Sequence, residues 1–214
     1  MIVSLVGYTS NPERTVALAG RLTRSSKSYE ELSEELSDIP HCQKFIRKLI
    51  KSGHESVLEH ASFTFYISEI SRACSHQIVR HRIASYSQKS QRYEEEEEGK
   101  FIVPESISKN MESMLLSDYL GCINVAEDIY HGLCENGVPP EDARYILPQA
   151  ISTTLIMTMN ARELRHFFKL RLSPDAQWEI RAVAKRMLGE VMDVAPSMFE
   201  DIYEKLIKEK ETNE

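Results

Sequence analysis

With 214 residues, of which 42% are hydrophobic and 28% charged, the chain has the composition of a soluble globular protein with one sizeable core. A formal net charge of -7 argues against a general nucleic-acid binder, whose affinity comes largely from basic surface, and no apolar run approaches membrane-spanning length. The opening MIVSLVGYTS lacks the basic start and long apolar run of a signal peptide. Cys42, Cys74, Cys122 and Cys134 form no CxxC and no zinc-finger spacing, so reduced thiols in the cytoplasm are the expectation.

Residues 2–9 alternate weakly and read as a first strand, and Ser10-Asn11-Pro12-Glu13 opens a helix into TVALAGRL. Residues 25–38 are polar, a loop with a short helix. Phe45, Leu49 and Ile50 stand at helical spacing within residues 41–52, with Gly53 as the stop. His54-Glu55-Ser56-Val57-Leu58-Glu59-His60 follows. In an α-helix its two histidines would stand about 240° apart, far from the shared face of an i, i+4 zinc pair, so no metal site is expected. Residues 61–70 alternate, with Phe63, Phe65 and Ile67 on one side, and predict a strand. Ser71 is placed to cap a helix running from Arg72 to Arg80.

The stretch from Arg80 to Tyr93 (RHRIASYSQKSQRY) holds three arginines, a histidine, a lysine and three serines, without an apolar pattern. It reads as a loop. Two cations about 6 Å apart at an effective dielectric of ~20 repel by ~3 kcal/mol, so an anion among them would relieve the strain. Arginine grips phosphate or carboxylate at two points, and serine and glutamine add neutral donors. The alternatives on charge alone are a ligand loop or a solvated basic loop neutralised by the turn Glu94–Glu98.

Lys100 to Pro104 reads as a short extended piece. Residues 108–136 predict one long amphipathic helix, or two, ended by Gly137, with the Met, Leu and Ile positions packed in the core. A short helix from Glu141 stops at Pro148. Residues 152–159 are apolar and β-branched enough for a strand, and Asn160 caps a helix with Glu163 in the capping-box position. Leu164, Phe167, Phe168 and Leu170 form its buried side. Ser173-Pro174-Asp175 starts another helix, and the remainder reads as two surface helices with a frayed end.

Arg80-His81-Arg82, seven residues and then Ser90 resembles the signature of the flavin-dependent thymidylate synthases. Gly-His-Glu-Ser with Glu-His at 53–60, EDAR-x-x-LP at 141–148, Asn-Ala-Arg at 160–162, a later Arg171 and AQWEIR at 176–181 resemble further blocks of that family, in order. The resemblance implies an α+β single domain over 1–214 with a mixed or antiparallel sheet flanked by helices, assembled as a homotetramer whose sites are shared between subunits. It implies conversion of dUMP to dTMP, with methylenetetrahydrofolate as carbon donor, FAD as cofactor and NADPH as reductant. For dUMP it implicates Gln77, Ile78, Val79, Arg80, Gln88, Lys89, Ser90, Gln91, Arg92 and Arg144. Arg171 would face the uracil as the catalytic group. FAD would meet Arg80, His81, Arg82, Ile83, Gln88, Asn160, Ala161, Arg162 and His166, with Ser56 from another chain, and His54 would lie on the folate and nicotinamide side. Gln88 and Asp175 stand where some relatives carry glutamate and histidine.

The residues themselves argue against protein-nucleophile chemistry. Ser90 has no Gly-x-Ser-x-Gly around it and no base within local reach, and Cys74 reads as core packing inside a helix. There is no dinucleotide glycine fingerprint and no P-loop, so any nucleotide site is made from side chains and helix ends. The rival of another class is a nucleotide- or RNA-binding module that uses residues 80–92 without redox chemistry.

Overall fold

The computed structural model describes residues 1–92, 100–109 and 114–211. Its centre is one sheet of four antiparallel strands, β1 (Ile2–Tyr8), β2 (Ser62–Ser71), β3 (Ala84–Gln88) and β4 (Ser152–Asn160), in the order β1-β2-β4-β3. Of the two sheet types the sequence leaves open, the antiparallel one is found. The glutamate turn expected at 94–98 lies outside the described residues.

Alternation puts Phe63, Phe65 and Ile67 of β2 and Leu155, Met157 and Met159 of β4 on one face, all buried. Ile70 would break this period. A bulge between Ile67 and Ile70 resets the phase, with Glu69 in the left-handed region at φ 56, so that Ile70 also turns inward.

The inner face is covered by α8 (Ala161–Arg171) and α9 (Trp178–Val194). Leu164, Phe167 and Phe168 of α8 meet Ile180, Val183, Met187 and Val191 of α9 in one continuous core. Around it run α1 (Pro12–Leu22), α2 (Tyr29–Glu35), α3 (Ile39–Lys51) and a 3₁₀ turn at Glu55–His60. Gly53, at φ 74, ends α3 as its sequence implies. α4 (Arg72–Ile78) links β2 to β3; α5 (Glu105–Ser108), α6 (Met114–Glu135) and α7 (Pro140–Ala143) precede β4, and α10 (Glu200–Glu211) closes the chain.

Several expectations are corrected. Residues 84–88 are not a loop but the edge strand β3, paired with β4 from Ala84↔Met159 to Gln88↔Leu155. Its Ser-rich alternation hides it, because an edge strand with one wet face needs few apolar residues. α4 stops at Ile78 rather than Arg80. On α6 only Ile123 and Tyr130 are buried, while Met114, Leu115, Val125 and Ile129 are exposed; they are not core in this chain. Leu170 is likewise exposed. α9 begins at Trp178, not near Ser173, because Gln177 caps it by accepting from the backbone of Glu179 and Ile180. Nor is α9 a surface helix: seven of its residues are buried.

Candidate active site

The signature residues are organised around the C-terminal end of α4. The last carbonyls of a helix have no intrahelical donor and carry its negative dipole end. Two side chains satisfy them here. Arg171, at the end of α8, donates from Nη2 to the carbonyl of Gln77 at 3.1 Å, and the Tyr86 hydroxyl donates to the carbonyls of Ile78 and His81 at 2.9 and 2.8 Å. Burial pushes the Tyr86 phenol up to about 12, so it remains a donor at neutral pH.

His81 is buried just beyond α4 and both of its ring nitrogens are engaged. Nε2 lies 3.1 Å from Nε of Arg171, and Nδ1 lies 3.0 Å from Oε1 of Glu163. A guanidinium only donates, so Nε2 is the acceptor and the proton sits on Nδ1, donated to Glu163. Burial holds the imidazole pKa below its ordinary value, against the opposing pull of Glu163. The result is a buried chain, Glu163 to neutral His81 to charged Arg171.

Glu163 is the residue that sequence reasoning placed elsewhere. It stands in the capping-box position, and its backbone N–H donates to Oδ1 of Asn160 at 2.9 Å. Its carboxylate, however, turns to His81 instead of completing the box. A glutamate in a capping-box position gives no local hint of a pairing with His81, because the two are 82 residues apart.

His81, Glu163 and His166 place three ligand-capable atoms within 4.8 Å of one another. Both His81 nitrogens are already used and the Arg171 cation abuts one of them, so a metal there would meet direct repulsion. Neither His54 nor His60 joins such a group among the described residues.

A second group gathers at the far end of β3. Arg92 Nε and Glu141 Oε2 are 2.8 Å apart, and Arg144 Nε donates to the Glu141 carbonyl at 3.0 Å, so the segment at 141 brings the two arginines together. Ser90 Oγ accepts from the backbone of Arg92 at 3.2 Å. Gln91 Nε2 is buried with no acceptor among the described residues. Gln88 points inward, donating to Ser75 and Thr153 at 3.0 and 3.1 Å, and the Lys89 carbonyl accepts from Arg72 at 3.0 Å.

A third group lines a cavity of about 500 Å³ walled by Ile83, Asn160, Arg162, His166 and Lys169, with Glu55 and Glu59 opposite. Arg162 pairs with Glu59, and Lys169 stands 3.6 Å from Glu55. Arg80 and Arg82 are exposed and bond to no side chain among the described residues. The arginines between 80 and 171 therefore do not share one hollow within a single chain. Two implicated positions present little to a ligand: Ile78 is a core residue with its carbonyl taken by Tyr86, and Ala161 is buried with its N–H on the Ala61 carbonyl at 2.8 Å. Ser56 and His54 line a different cavity, on the other side of the 3₁₀ turn.

The thiols of Cys42 and Cys74 are both buried, and burial pushes each up, away from the nucleophilic thiolate. All four cysteines are free. No helix among the described residues is long and apolar enough to cross a membrane.

Residues 4–197 match the family described as thymidylate synthase complementing protein. A flavin-dependent thymidylate synthase of Geobacter sulfurreducens is 50% identical over 203 residues, covering 94% of this chain and 86% of its own. One of Saccharolobus solfataricus is 46% identical over 199 residues, 92% of this chain and 75% of its own. The crystal structure of the UMP/dUMP methylase PolB from Streptomyces cacaoi, bound with 5-Br dUMP, superposes with a TM-score of 0.82 at 28% identity over 93% of both chains. With the histidine of its signature held by Arg171 at the end of α4, this chain belongs to the flavin-dependent thymidylate synthases, a family of methyltransferases.

Proposed function

We propose that the protein methylates dUMP to dTMP, taking the carbon from methylenetetrahydrofolate and the reducing equivalents from NADPH through FAD. The observation that carries this reading is the Glu163–His81–Arg171 chain, in which the cation makes two hydrogen bonds, to His81 and to the Gln77 carbonyl, and Glu163 holds His81 by a third, in a site with no activated nucleophile among the described residues. A fixed cation suits a pyrimidine that must be polarised rather than attacked by the protein.

The residues present fit a flavin nucleotide. Arg162 and Lys169, on leaving Glu59 and Glu55, are cations for its diphosphate, and the exposed Ile83 offers an apolar wall for the ring. The flavin would supply the hydride chemistry. The chain's own tasks are three. Arg92 and Arg144 take the phosphate of dUMP, with Ser90 and Gln91 as neutral donors. Arg171 stabilises negative charge developing on the uracil. His81, held neutral, keeps that guanidinium aimed.

The same reading makes the protein a homotetramer. Its supports are the exposed Met114, Leu115, Val125 and Ile129 of α6, and the outer sheet face, where Tyr66 and Ile156 pair in the open. Ser56, on the opposite side of the 3₁₀ turn from this chain's own flavin cavity, then serves a neighbour's flavin.

The test is a flavin spectrum of the purified protein, its bleaching by NADPH, and dTMP formation on adding dUMP and methylenetetrahydrofolate. A colourless protein that binds dUMP without turnover would overturn the reading.

A further inference from the structure

α4 is gripped at both ends by side chains of the α8–α9 segment, Arg171 at its carbonyl end and Glu179 at its amide end. Glu179, the second residue of α9, is only 1% exposed. Its Oε1 accepts from the backbone N–H of Ser71 at 2.7 Å, and its Oε2 accepts from the Ser71 hydroxyl at 2.5 Å.

Those two bonds fix the orientation of Ser71. Its hydroxyl, with the proton given to Glu179, accepts from the N–H of Cys74 at 3.0 Å, which is the capping bond of the helix. The N–H groups of Arg72 and Ala73 donate to the carbonyls of Ile151 and Gln149 at 3.0 and 3.1 Å. Every N–H from Ser71 to Cys74 is thus satisfied by protein, and of these four acceptors only Glu179 is a carboxylate. The signs suit the helix, negative at its amide end and positive at its carbonyl end. Cys74, between the two, registers both. Burial first, then the Glu179 charge, push its thiol up, and the Arg171 charge opposes them.

A helix of seven residues, about 10 Å long, has little stability of its own, so its axis lies where its ends are held. A shift of that axis carries the Gln77 carbonyl with it. It also carries His81, whose N–H donates to the Ile78 carbonyl at 3.2 Å.

We propose that Glu179 is a positioning residue for the reaction: by fixing the start of α4 it sets where Gln77 and His81 meet Arg171, and so where that guanidinium points. This rests on the reaction proposed above, in which Arg171 stabilises charge on the uracil. The Glu179 carboxylate, with both oxygens on Ser71, takes no part in the chemistry itself.

The experiment compares Glu179→Ala and Glu179→Gln with Glu13→Ala. Glu13 is also a buried carboxylate, accepting from the backbone N–H of Ser197 at 2.9 Å and from Gln43 at 2.8 Å, so its loss carries a like structural cost away from α4. On the flavin-loaded protein Glu179→Ala should lower kcat by about 10²-fold, the scale of a misplacement by about 1 Å, with the KM for dUMP changed less than about threefold. Glu179→Gln keeps an acceptor for the Ser71 N–H and should recover most of that loss, while Glu13→Ala should keep the wild-type kcat.

NMR of ¹⁵N-labelled histidine reads the same displacement without turnover. His81 faces Glu163, Arg171 and His166. Burial and the Arg171 charge hold its pKa down against Glu163, so a guanidinium that drifts away should let the His81 titration rise in Glu179→Ala and not in Glu13→Ala. Equal losses of kcat in the two alanine variants, no recovery in the glutamine variant, or an unmoved His81 titration would each overturn the proposal. If Glu179→Ala does not fold, Ser71→Ala, which keeps the backbone bond to the carboxylate, is judged on kcat and the His81 titration in its place. A wild type that makes no dTMP would overturn the reaction instead, and the His81 titration still judges the grip on α4.

Discussion

Nε of Arg171 and Nε2 of His81 are 3.1 Å apart, and this single contact sets the proton positions of the whole buried chain. The donor must be Arg171, so His81 must be neutral and must give its one proton to Glu163. Protonating His81 would place two cations face to face and expel the guanidinium.

Activity is therefore expected to fall on the acid side as His81 gains a proton. Burial lowers the folded pKa below the ordinary imidazole value of about 6.5, so between the two values the unfolded chain binds more protons than the folded one. The His81 contribution to stability is complete above about pH 6.5 and is lost as pH falls through the lower, folded value. Since Glu163 raises the His81 pKa, Glu163→Gln should move the acid limb of kcat to lower pH while keeping an acceptor for Nδ1. Pre-steady-state pH profiles check this; an unmoved limb contradicts it.

Arg171→Ala should lower dTMP formation by about 10²–10³-fold with the fold intact, the scale of losing one aimed electrostatic donor. Arg171→Lys should rescue little, because one ammonium does not reproduce the fork that spans His81 Nε2 and the Gln77 carbonyl. Circular dichroism alongside turnover separates chemistry from folding. Full turnover in the alanine variant would remove the role.

On the proposed reading the Ser90 hydroxyl binds dUMP and is not an attacking group, and its Oγ accepts from the backbone N–H of Arg92, so Ser90→Ala should raise the KM for dUMP and retain turnover. Loss of chemistry with unchanged dUMP binding would contradict that.

Arg165 is the largest fully buried side chain, and it holds both oxygens of Asp201 at 2.7 Å. Arg165 is buried but Asp201 is half exposed, so Arg165→Ala strands no buried charge and should cost about 2–3 kcal/mol in urea unfolding, through the lost charge-assisted bonds and the lost packing of the arginine stem. Burial raises the Asp201 pKa, yet the Arg165 bonds outweigh it and hold the carboxyl below its ordinary value. Its stability is thus present above about pH 4 and lost as pH falls through the lower folded value. Asp201→Asn should flatten that acid limb, and a limb of unchanged slope would argue against the pairing.

Leu115→Glu on α6 or Ile156→Asp on the outer sheet face should reduce the assembled state, read by light scattering after size exclusion. An unchanged mass for both would leave these apolar surfaces without the partner the tetramer gives them.

Most of the fold was legible in local pattern. The alternation of Phe63, Phe65 and Ile67, the caps at Ser71 and Asn160 and the stop at Gly53 are local features, and each element formed where its pattern lay. β3 was not legible, because an edge strand with a wet outer face carries serines where an inner strand carries valines. Nor was the exposure of α6, since an apolar stripe looks the same whether it packs on its own sheet or on another subunit.

By itself the sequence determined the family, through spaced motifs, and the residue types at the site: a cluster of arginines about a histidine, with no activated nucleophile among them. Which arginine is held and which are free was decided only by the tertiary structure. Glu163, His81 and Arg171 lie up to 90 residues apart and meet because β4 carries α8 back against the end of α4. Hydrogen-bond geometry depends on ångström-scale distances between such segments, and no local pattern in the chain encodes those distances.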